Sequence, residues 1–265
     1  MTGAPAPRTV GFQPGERNVF FHLLTACNLR CRHCYINPAE HGTATLPLAT
    51  VQRWLKLFAR PERETNLILL GGEPTLHPDL AAIIRAAKSL RYAVTVDSNG
   101  YLFHDLLDRV TPQELDYLSF SLDGPDALVN DPIRGEGVFA VCTANIRRAV
   151  AAGFTTSCIY TVSGLNIDHL HRMPALLEEL GVRRFFIQVI GLRGNPAHCE
   201  TGSAASWQVE PARWLATVPE VAAEREVVPV RVGHQPGPVD SQPVFGVHEV
   251  GGHLHGHHLG QEEGV

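Results

Sequence analysis

The chain has 265 residues, of which 44% are hydrophobic and 18% are charged, and its formal net charge is −5 at pH 7. These values are typical of a soluble globular protein with a sizeable core, and the absence of any basic run argues against a nucleic-acid partner. The sequence has no apolar run long enough to cross a membrane and no N-terminal pattern of a secretion signal. We therefore expect a cytoplasmic protein with reduced thiols that acts on a small molecule or a peptide.

The N-terminal residues 1–17 carry Pro and Gly at short intervals, which predicts a flexible arm. The apolar run 19–24 then predicts a buried strand, and three cysteines follow it within eight residues, Cys27, Cys31 and Cys34. Three thiolates on one loop can converge on one soft metal centre, because zinc and iron–sulfur clusters both favour sulfur ligands. A cluster of four irons held by three cysteines would leave one iron open to a small molecule.

Two other interpretations of the cysteine loop are open. A zinc site could use the three cysteines with His33, although structural zinc sites usually bring two ligand pairs separated by a longer loop. A disulfide pair is disfavoured by the expected reducing compartment.

Strands and helices alternate six times along the chain. The strands are expected at 19–24, 66–70, 92–97, 117–122, 156–162 and 184–190, with apolar residues at helical spacing between them. This alternation predicts an α/β fold with parallel strands and right-handed crossovers. Residues 18–195 are too few for a closed eight-unit barrel, so we expect an open, partial (β/α)6 barrel that spans residues 18–232 and ends in a helix over 207–227.

Two neighbouring strands have one polar face. Thr95 and Asp97 alternate with valines in the third strand, and Ser119 and Ser121 alternate with apolar residues in the fourth. A buried polar face is costly unless it is hydrogen-bonded, so we expect this face to line a lumen that holds a polar ligand. The alternative is that these strands are simply half-exposed.

A second motif, Gly71-Gly72-Glu73-Pro74, follows the second strand. Together with the Cys-x3-Cys-x2-Cys loop, it resembles the signature of radical S-adenosylmethionine (SAM) enzymes over about residues 18–195. The resemblance implies a TIM-like partial barrel with a [4Fe–4S] cluster in the loop after the first strand, held by the three cysteines. It also implies that SAM chelates the fourth iron and that a donor such as flavodoxin or ferredoxin supplies the electron.

The resemblance and the residue chemistry together suggest roles for further residues. Glu73 and the backbone of Gly71 and Gly72, beside Pro74, are expected to accept from the SAM ammonium, and the two glycines to allow its close approach. Arg134, in a loop over 124–137, is a candidate for the SAM carboxylate, since guanidinium binds carboxylates bidentately. The alternative is a surface arginine. The remaining expected contacts are His33 near the adenine and, for the ribose hydroxyls, Ser98, Asn99, Ser121 and Asp123.

The remaining cysteines and the C-terminal tail show no second cluster motif. Cys142 and Cys158 lie in apolar patterns and are expected in the core, whereas Cys199 lies in a polar loop. Residues 233–265 are rich in His and Gly, and we expect a disordered tail whose imidazoles bind metal weakly or have no role. The histidines of the last part of the chain are His234, His248, His253, His255, His257 and His258.

The predicted function is reductive cleavage of SAM to a 5′-deoxyadenosyl radical that abstracts hydrogen from a substrate. The substrate would be a peptide, a protein, a cofactor precursor or another metabolite. Two alternatives are a non-catalytic iron–sulfur or metal-binding protein and a truncated, inactive family member. A simple electron carrier would normally supply four ligands and would not need Gly71-Gly72-Glu73-Pro74.

Overall fold

The computed structural model describes residues 17–60, 62, 65–103, 105–191, 193–198, 207–223, 227–230 and 247–251. The predicted N-terminal arm, except for its last residue, therefore lies outside the described residues, as do Cys199 and most of the predicted tail. No helix among the described residues is long and apolar enough to span a membrane.

One sheet of eight strands organises the molecule. The first seven run parallel in chain order, and the eighth pairs with the first in the antiparallel direction at the opposite edge. They are β1 (Arg17–His22), β2 (Thr65–Leu70), β3 (Tyr92–Ser98), β4 (Tyr117–Ser121), β5 (Thr156–Val162), β6 (Arg184–Val189), β7 (Val227–Val230) and β8 (Val247–Gly251).

The strands β1–β6 curl into a half-barrel, which confirms the predicted α/β fold class and partial TIM-like barrel. β7 and β8 extend it beyond the six predicted strands. β8 lies inside the tail that we expected to lack regular structure. The domain boundary predicted near residue 233 stays a prediction.

Eight α-helices lie among the described residues. They are α1 (Leu48–Phe58), α2 (Leu80–Ser89), α3 (Leu106–Arg109), α4 (Ala127–Arg134), α5 (Val138–Ala151), α6 (Met173–Glu179), α7 (Asn195–His198) and α8 (Pro211–Ala223). Gly153 and Gly181 lie two residues after the ends of α5 and α6 and adopt positive φ angles of 87° and 73°, a conformation that glycine adopts without steric cost.

The helix α4 corrects one prediction, because residues 124–137 were expected to form a loop. The Asp126 side chain accepts a hydrogen bond from the Val129 backbone N–H and caps the first turn. Pro132 lies inside this short helix, and a proline at this point in a sequence normally argues against one. Arg134 is therefore the last residue of a helix rather than part of an irregular loop.

The two faces of the sheet have opposite character. The helix-facing side chains, among them Val19, Leu69, Val96 and Phe120, are 0% exposed and form one continuous core. The other face lines the interior of the half-barrel, which we call the lumen, and side chains such as Asp97 remain partly accessible there. Cys142 and Cys158 are fully buried in the core, as predicted.

Candidate active site

The cysteine loop follows β1 and lies across the carboxyl ends of the strands, where barrels of this architecture place their sites. The Cys34 N–H donates to the Cys31 carbonyl at 3.2 Å and closes a turn between these two cysteines. The Arg32 N–H donates to the Ile133 carbonyl at 2.9 Å, which ties the loop to α4. The loop is thus braced by the backbone of another element.

The three thiols are close enough to influence one another electrostatically. Burial raises the pKa of Cys31 to about 12, against the opposing charge of Arg134, and the neighbouring Cys27 and Cys34 raise it further. Burial also raises the pKa of Cys27 and of Cys34. A bound cluster would favour the thiolates that burial disfavours, so metal binding would supply the missing positive charge.

Two nitrogen atoms approach the sulfurs. The Asn99 Nδ2 lies 3.8 Å from the Cys27 Sγ, and the His41 Nε2 lies 3.6 Å from the Cys34 Sγ. All three cysteines are partly exposed. Three partly exposed thiols on one loop, which influence one another electrostatically and have nitrogen neighbours, suit a sulfur-ligated cluster. Among the described residues, no group of three or more His, Cys, Asp or Glu side chains is arranged to hold a single metal ion.

The two glycines of the Gly71-Gly72-Glu73-Pro74 motif pack against the segment that leads into the cysteine loop. A Cβ atom on Gly72 would lie 2.1 Å from the Ala26 carbonyl oxygen, and one on Gly71 would lie 2.7 Å from the Leu24 carbonyl oxygen. The Gly72 N–H donates to Leu24 at 2.9 Å, and the Glu73 N–H donates to Ala26 at 2.8 Å. The atoms that approach these glycines closely are therefore backbone atoms of the segment before the cysteine loop.

Glu73 is fully buried, and its carboxylate accepts hydrogen bonds from other residues of the protein. It accepts hydrogen bonds from the Thr75 N–H and hydroxyl at 3.1 and 2.7 Å. It also accepts from the Ser98 hydroxyl at 2.9 Å and from the Asn99 N–H at 2.7 Å. Burial raises the pKa of Glu73, and these donors lower it. Glu73 thus joins the end of β2 to the end of β3, whereas the sequence suggested a contact with the SAM ammonium.

Asn99 continues this connection to the cysteine loop. Its Nδ2 donates to the Asn28 Oδ1 at 2.7 Å, and its Oδ1 accepts from the Tyr101 N–H at 2.8 Å. The Ser98 hydroxyl accepts from the Gly100 N–H at 3.0 Å while it donates to Glu73. The side chains of Ser98 and Asn99, which we expected at the ribose, therefore form hydrogen bonds to neighbouring segments of the protein.

A buried charged cluster joins three residues that were predicted separately. The Asp123 Oδ2 lies 2.6 Å from the Arg134 Nε and 2.8 Å from the His33 Nε2. Asp123 is 0% exposed, and burial opposes its ionisation. The charges of Arg134 and His33 outweigh burial and lower its pKa to about 2. Asp123 also accepts from the Thr161 N–H at 2.7 Å. The structure thus links Arg134, Asp123 and His33 to one another beside Cys31.

Arg134 is nearly buried, which excludes the surface-arginine alternative. Its carbonyl oxygen lies 3.8 Å from the Cys31 Sγ. The ion pair with Asp123 reaches the Arg134 guanidinium through its Nε. Ser121 is partly exposed at the end of β4, and its carbonyl oxygen lies 3.9 Å from the Cys142 thiol.

Sequence analysis missed one element of the site. The Asn195 Nδ2 donates to the Cys31 carbonyl at 2.8 Å, and the Asn195 N–H donates to the Cys34 carbonyl at 2.9 Å. A Cβ on Gly194 would lie 2.3 Å from the Cys34 carbonyl oxygen. The Gly-Asn pair after β6 was a turn signal, but nothing in the sequence indicated that it contacts a loop some 160 residues away.

Comparisons with known proteins agree with this geometry. A family model described as the radical SAM superfamily matches residues 22–190. A pre-heme d1 synthase from Dinoroseobacter shibae is 30% identical over 196 residues, which cover 72% of this chain and 48% of that protein. A mycofactocin maturase from Mycobacterium ulcerans is 29% identical over 163 residues, which cover 61% of this chain and 44% of that protein. The chain thus spans about half the length of these curated relatives.

Solved structures share the fold. Streptococcus suis SuiB bound to the precursor peptide SuiA matches with a TM-score of 0.64 at 16% identity, over 83% of this chain and 49% of SuiB. The anSMEcpe protein with bound AdoMet (SAM) matches with a TM-score of 0.60 at 16% identity, over 76% of this chain and 57% of that protein. The family model covers well over half of the chain and includes both motifs, so the chain belongs to the radical SAM superfamily.

Proposed function

We propose that this chain is a radical SAM enzyme that holds a [4Fe–4S] cluster through Cys27, Cys31 and Cys34. The observation that carries the proposal is the cysteine loop itself, in which three close sulfurs are fixed at the mouth of a half-barrel. When bound, such a cluster supplies the electron that cleaves SAM to methionine and a 5′-deoxyadenosyl radical. The radical then takes hydrogen from a substrate in the lumen.

The protein's own residues would position SAM. The terminal nitrogens of Arg134 are the best candidates for its carboxylate, because Asp123 holds the guanidinium in place beside Cys31. The Ser121 hydroxyl suits a ribose hydroxyl, and His33 lies in the same cluster. Glu73, Ser98 and Asn99 would act indirectly, by holding the loops that surround SAM. These assignments refine the ribose and ammonium contacts expected from the sequence.

The proposed partners are an electron donor, such as flavodoxin or ferredoxin, and a peptide or small-molecule substrate. A peptide is supported by the fold shared with the peptide-bound SuiB structure and by the maturase among the relatives. A small molecule is supported by the pre-heme d1 synthase.

Anaerobic turnover tests this function. The reconstituted chain is incubated with SAM and dithionite, and 5′-deoxyadenosine is measured with Cys31→Ala as the matched variant. We expect the wild type to form 5′-deoxyadenosine and the variant to form none, because one of three cluster ligands is lost. Equal rates in the two proteins would overturn the ligand assignment, and no product from a cluster-loaded wild type would overturn the function.

A further inference from the structure

A row of polar side chains crosses the lumen on three adjacent strands. The register pairs Asp97 of β3 with Ser119 of β4, and Ser119 with Ser157 of β5. Side chains that lie directly opposite each other on neighbouring strands point to the same face and are close together. Val96 and Phe120 precede or follow these residues and face the helices, so the row faces the lumen.

The two serines are buried, and among the described residues their hydroxyls make no hydrogen bond of regular geometry. Ser119 is 1% exposed and Ser157 is 0% exposed. Ser119 approaches Asp97 closely enough to favour its ionised form, but without a hydrogen bond of regular geometry. Buried polar groups without partners are costly, and native proteins usually satisfy them. The row therefore offers oxygen atoms to something that enters the lumen.

Asp97 has no counter-charge among the described residues. It makes none of the ion pairs found there, in contrast to Asp123, which has both Arg134 and His33. The charged or titratable groups that face it are Glu73 and Tyr35, and both would be anionic if ionised. Burial raises the pKa of Asp97 to about 7, and Glu73 adds to this effect. A carboxylate in this position attracts a cation.

We propose that Asp97 and Ser119 bind an ammonium group of the substrate inside the lumen, with Ser157 one strand further along the row. An ammonium carries N–H donors, and these two side chains lie directly opposite each other on one face. The carboxylate would neutralise its charge, and the Ser119 hydroxyl oxygen would accept a further hydrogen. The proposal rests on the proposed function, because it assumes that the lumen receives the substrate, and it narrows the substrate to a compound with a free amine.

SAM also carries an ammonium group, so the test measures binding of a substrate-like ammonium and binding of SAM separately. The full chain is reconstituted with its cluster left oxidised, which prevents turnover, and it is saturated with SAM. Binding of n-butylammonium is compared with that of its neutral counterpart, n-butanol, at constant ionic strength by saturation-transfer NMR. The variants are Asp97→Asn, Ser119→Ala and the matched control Thr95→Val, which changes another lumen residue of the same strand. SAM affinity is measured separately without the probes.

We expect the wild type to prefer butylammonium over butanol by about tenfold, in line with a charge-assisted hydrogen bond. Asp97→Asn should remove this preference, Ser119→Ala should reduce it by a smaller factor of about three, and Thr95→Val should keep it. SAM affinity should stay unchanged in all variants.

Two results would overturn the proposal. One is a wild type that binds butylammonium no better than butanol, or an Asp97→Asn protein that keeps the wild-type preference for butylammonium. The second is a parallel loss of SAM affinity in Asp97→Asn, which would assign the carboxylate to SAM. Failure of the proposed function would appear separately, as a wild type that forms no 5′-deoxyadenosine. Ser119→Ala keeps the proposal testable if Asp97→Asn does not fold.

Discussion

Glu73 connects two loops that the site needs. Its carboxylate receives the Ser98 hydroxyl and the Asn99 N–H from the end of β3, and Thr75 from its own loop. Asn99 in turn reaches the cysteine loop through Asn28. We therefore propose that Glu73 acts on the site through the position of other residues, and we expect a mutation to affect the fold as well as SAM binding.

Replacing Glu73 tests this role. Glu73→Ala leaves several buried donors without an acceptor, and each costs about 1–3 kcal/mol, so we expect the free energy of unfolding to fall by at least about 3 kcal/mol. Glu73→Gln keeps one acceptor oxygen and should cost less. Urea denaturation under anaerobic conditions measures both. A Glu73→Ala protein of wild-type stability with weaker SAM binding would instead assign Glu73 to SAM alone.

Asp97 should give the stability of the protein a pH dependence. Its folded-state pKa of about 7 lies above the ordinary aspartate value, so the folded chain holds this proton more tightly than the unfolded chain. Its contribution to stability is therefore fully present below about pH 4 and is lost as the pH rises through 7. We expect the stability of the wild type relative to Asp97→Asn to fall between pH 5 and pH 7.5, as measured by urea denaturation. Parallel pH profiles for the two proteins would contradict this expectation.

Gly72 determines how closely two elements pack, the loop after β2 and the segment before the cysteine loop. The absence of a side chain lets the loop after β2 contact the Thr25–Ala26 backbone, and backbone atoms cannot move aside as a flexible side chain can. Both partners sit directly before Cys27, so a displacement here would carry the first cysteine with it.

We expect Gly72→Ala to lower the iron content after reconstitution to less than half of the wild-type value, because a Cβ 2.1 Å from the Ala26 oxygen forces the cysteine loop to shift. Gly191 is the control, since a Cβ there has nothing within 4 Å. Gly191→Ala should reconstitute normally. Iron and sulfide analysis gives the answer, and full cluster loading in Gly72→Ala would show that the contact is not needed.

The local patterns of the sequence predicted the elements of the barrel, and the long-range contacts explain what was missed. Alternating exposure on β3 was readable because side chains of a strand alternate between faces. The helix α4 could not be predicted, because Pro132 argues against a helix at this point in the sequence. The ion pair between Arg134 and Asp123 depends on that helix and was therefore missed as well. Likewise, the direction of the Glu73 side chain depends on β3, which lies about 25 residues further along the chain.

At the scale of the whole molecule, the strand that leads into the cysteine loop, β1, lies between two neighbouring strands of the half-barrel sheet. β2 pairs with β1 along all six of its residues, and β8 pairs with five of them on the other side. We expect the parallel partner to be sufficient to hold the strand that leads into the cysteine loop, because it pairs along the whole strand. On this expectation, the support of the site is separate from the C-terminal segment.

Deleting residues 234–265 tests that separation. We expect cluster content and SAM cleavage to stay within about twofold of the wild type, because β2 still holds β1. The weak affinity for divalent metal that a His-rich segment provides should be lost. Iron analysis, 5′-deoxyadenosine formation and nickel binding are measured on both chains. Loss of the cluster on deletion would make the C-terminal segment part of the site.

The central claim is that three cysteines hold a cluster whose remaining iron is open to SAM. Electron paramagnetic resonance of the dithionite-reduced protein, recorded before and after SAM is added, tests it most directly. We expect about four irons per chain, a reduced-cluster signal whose g values change when SAM is added, and no such signal in Cys27→Ala, Cys31→Ala or Cys34→Ala. A signal that SAM leaves unchanged, or one that persists without any of the three cysteines, would contradict the claim.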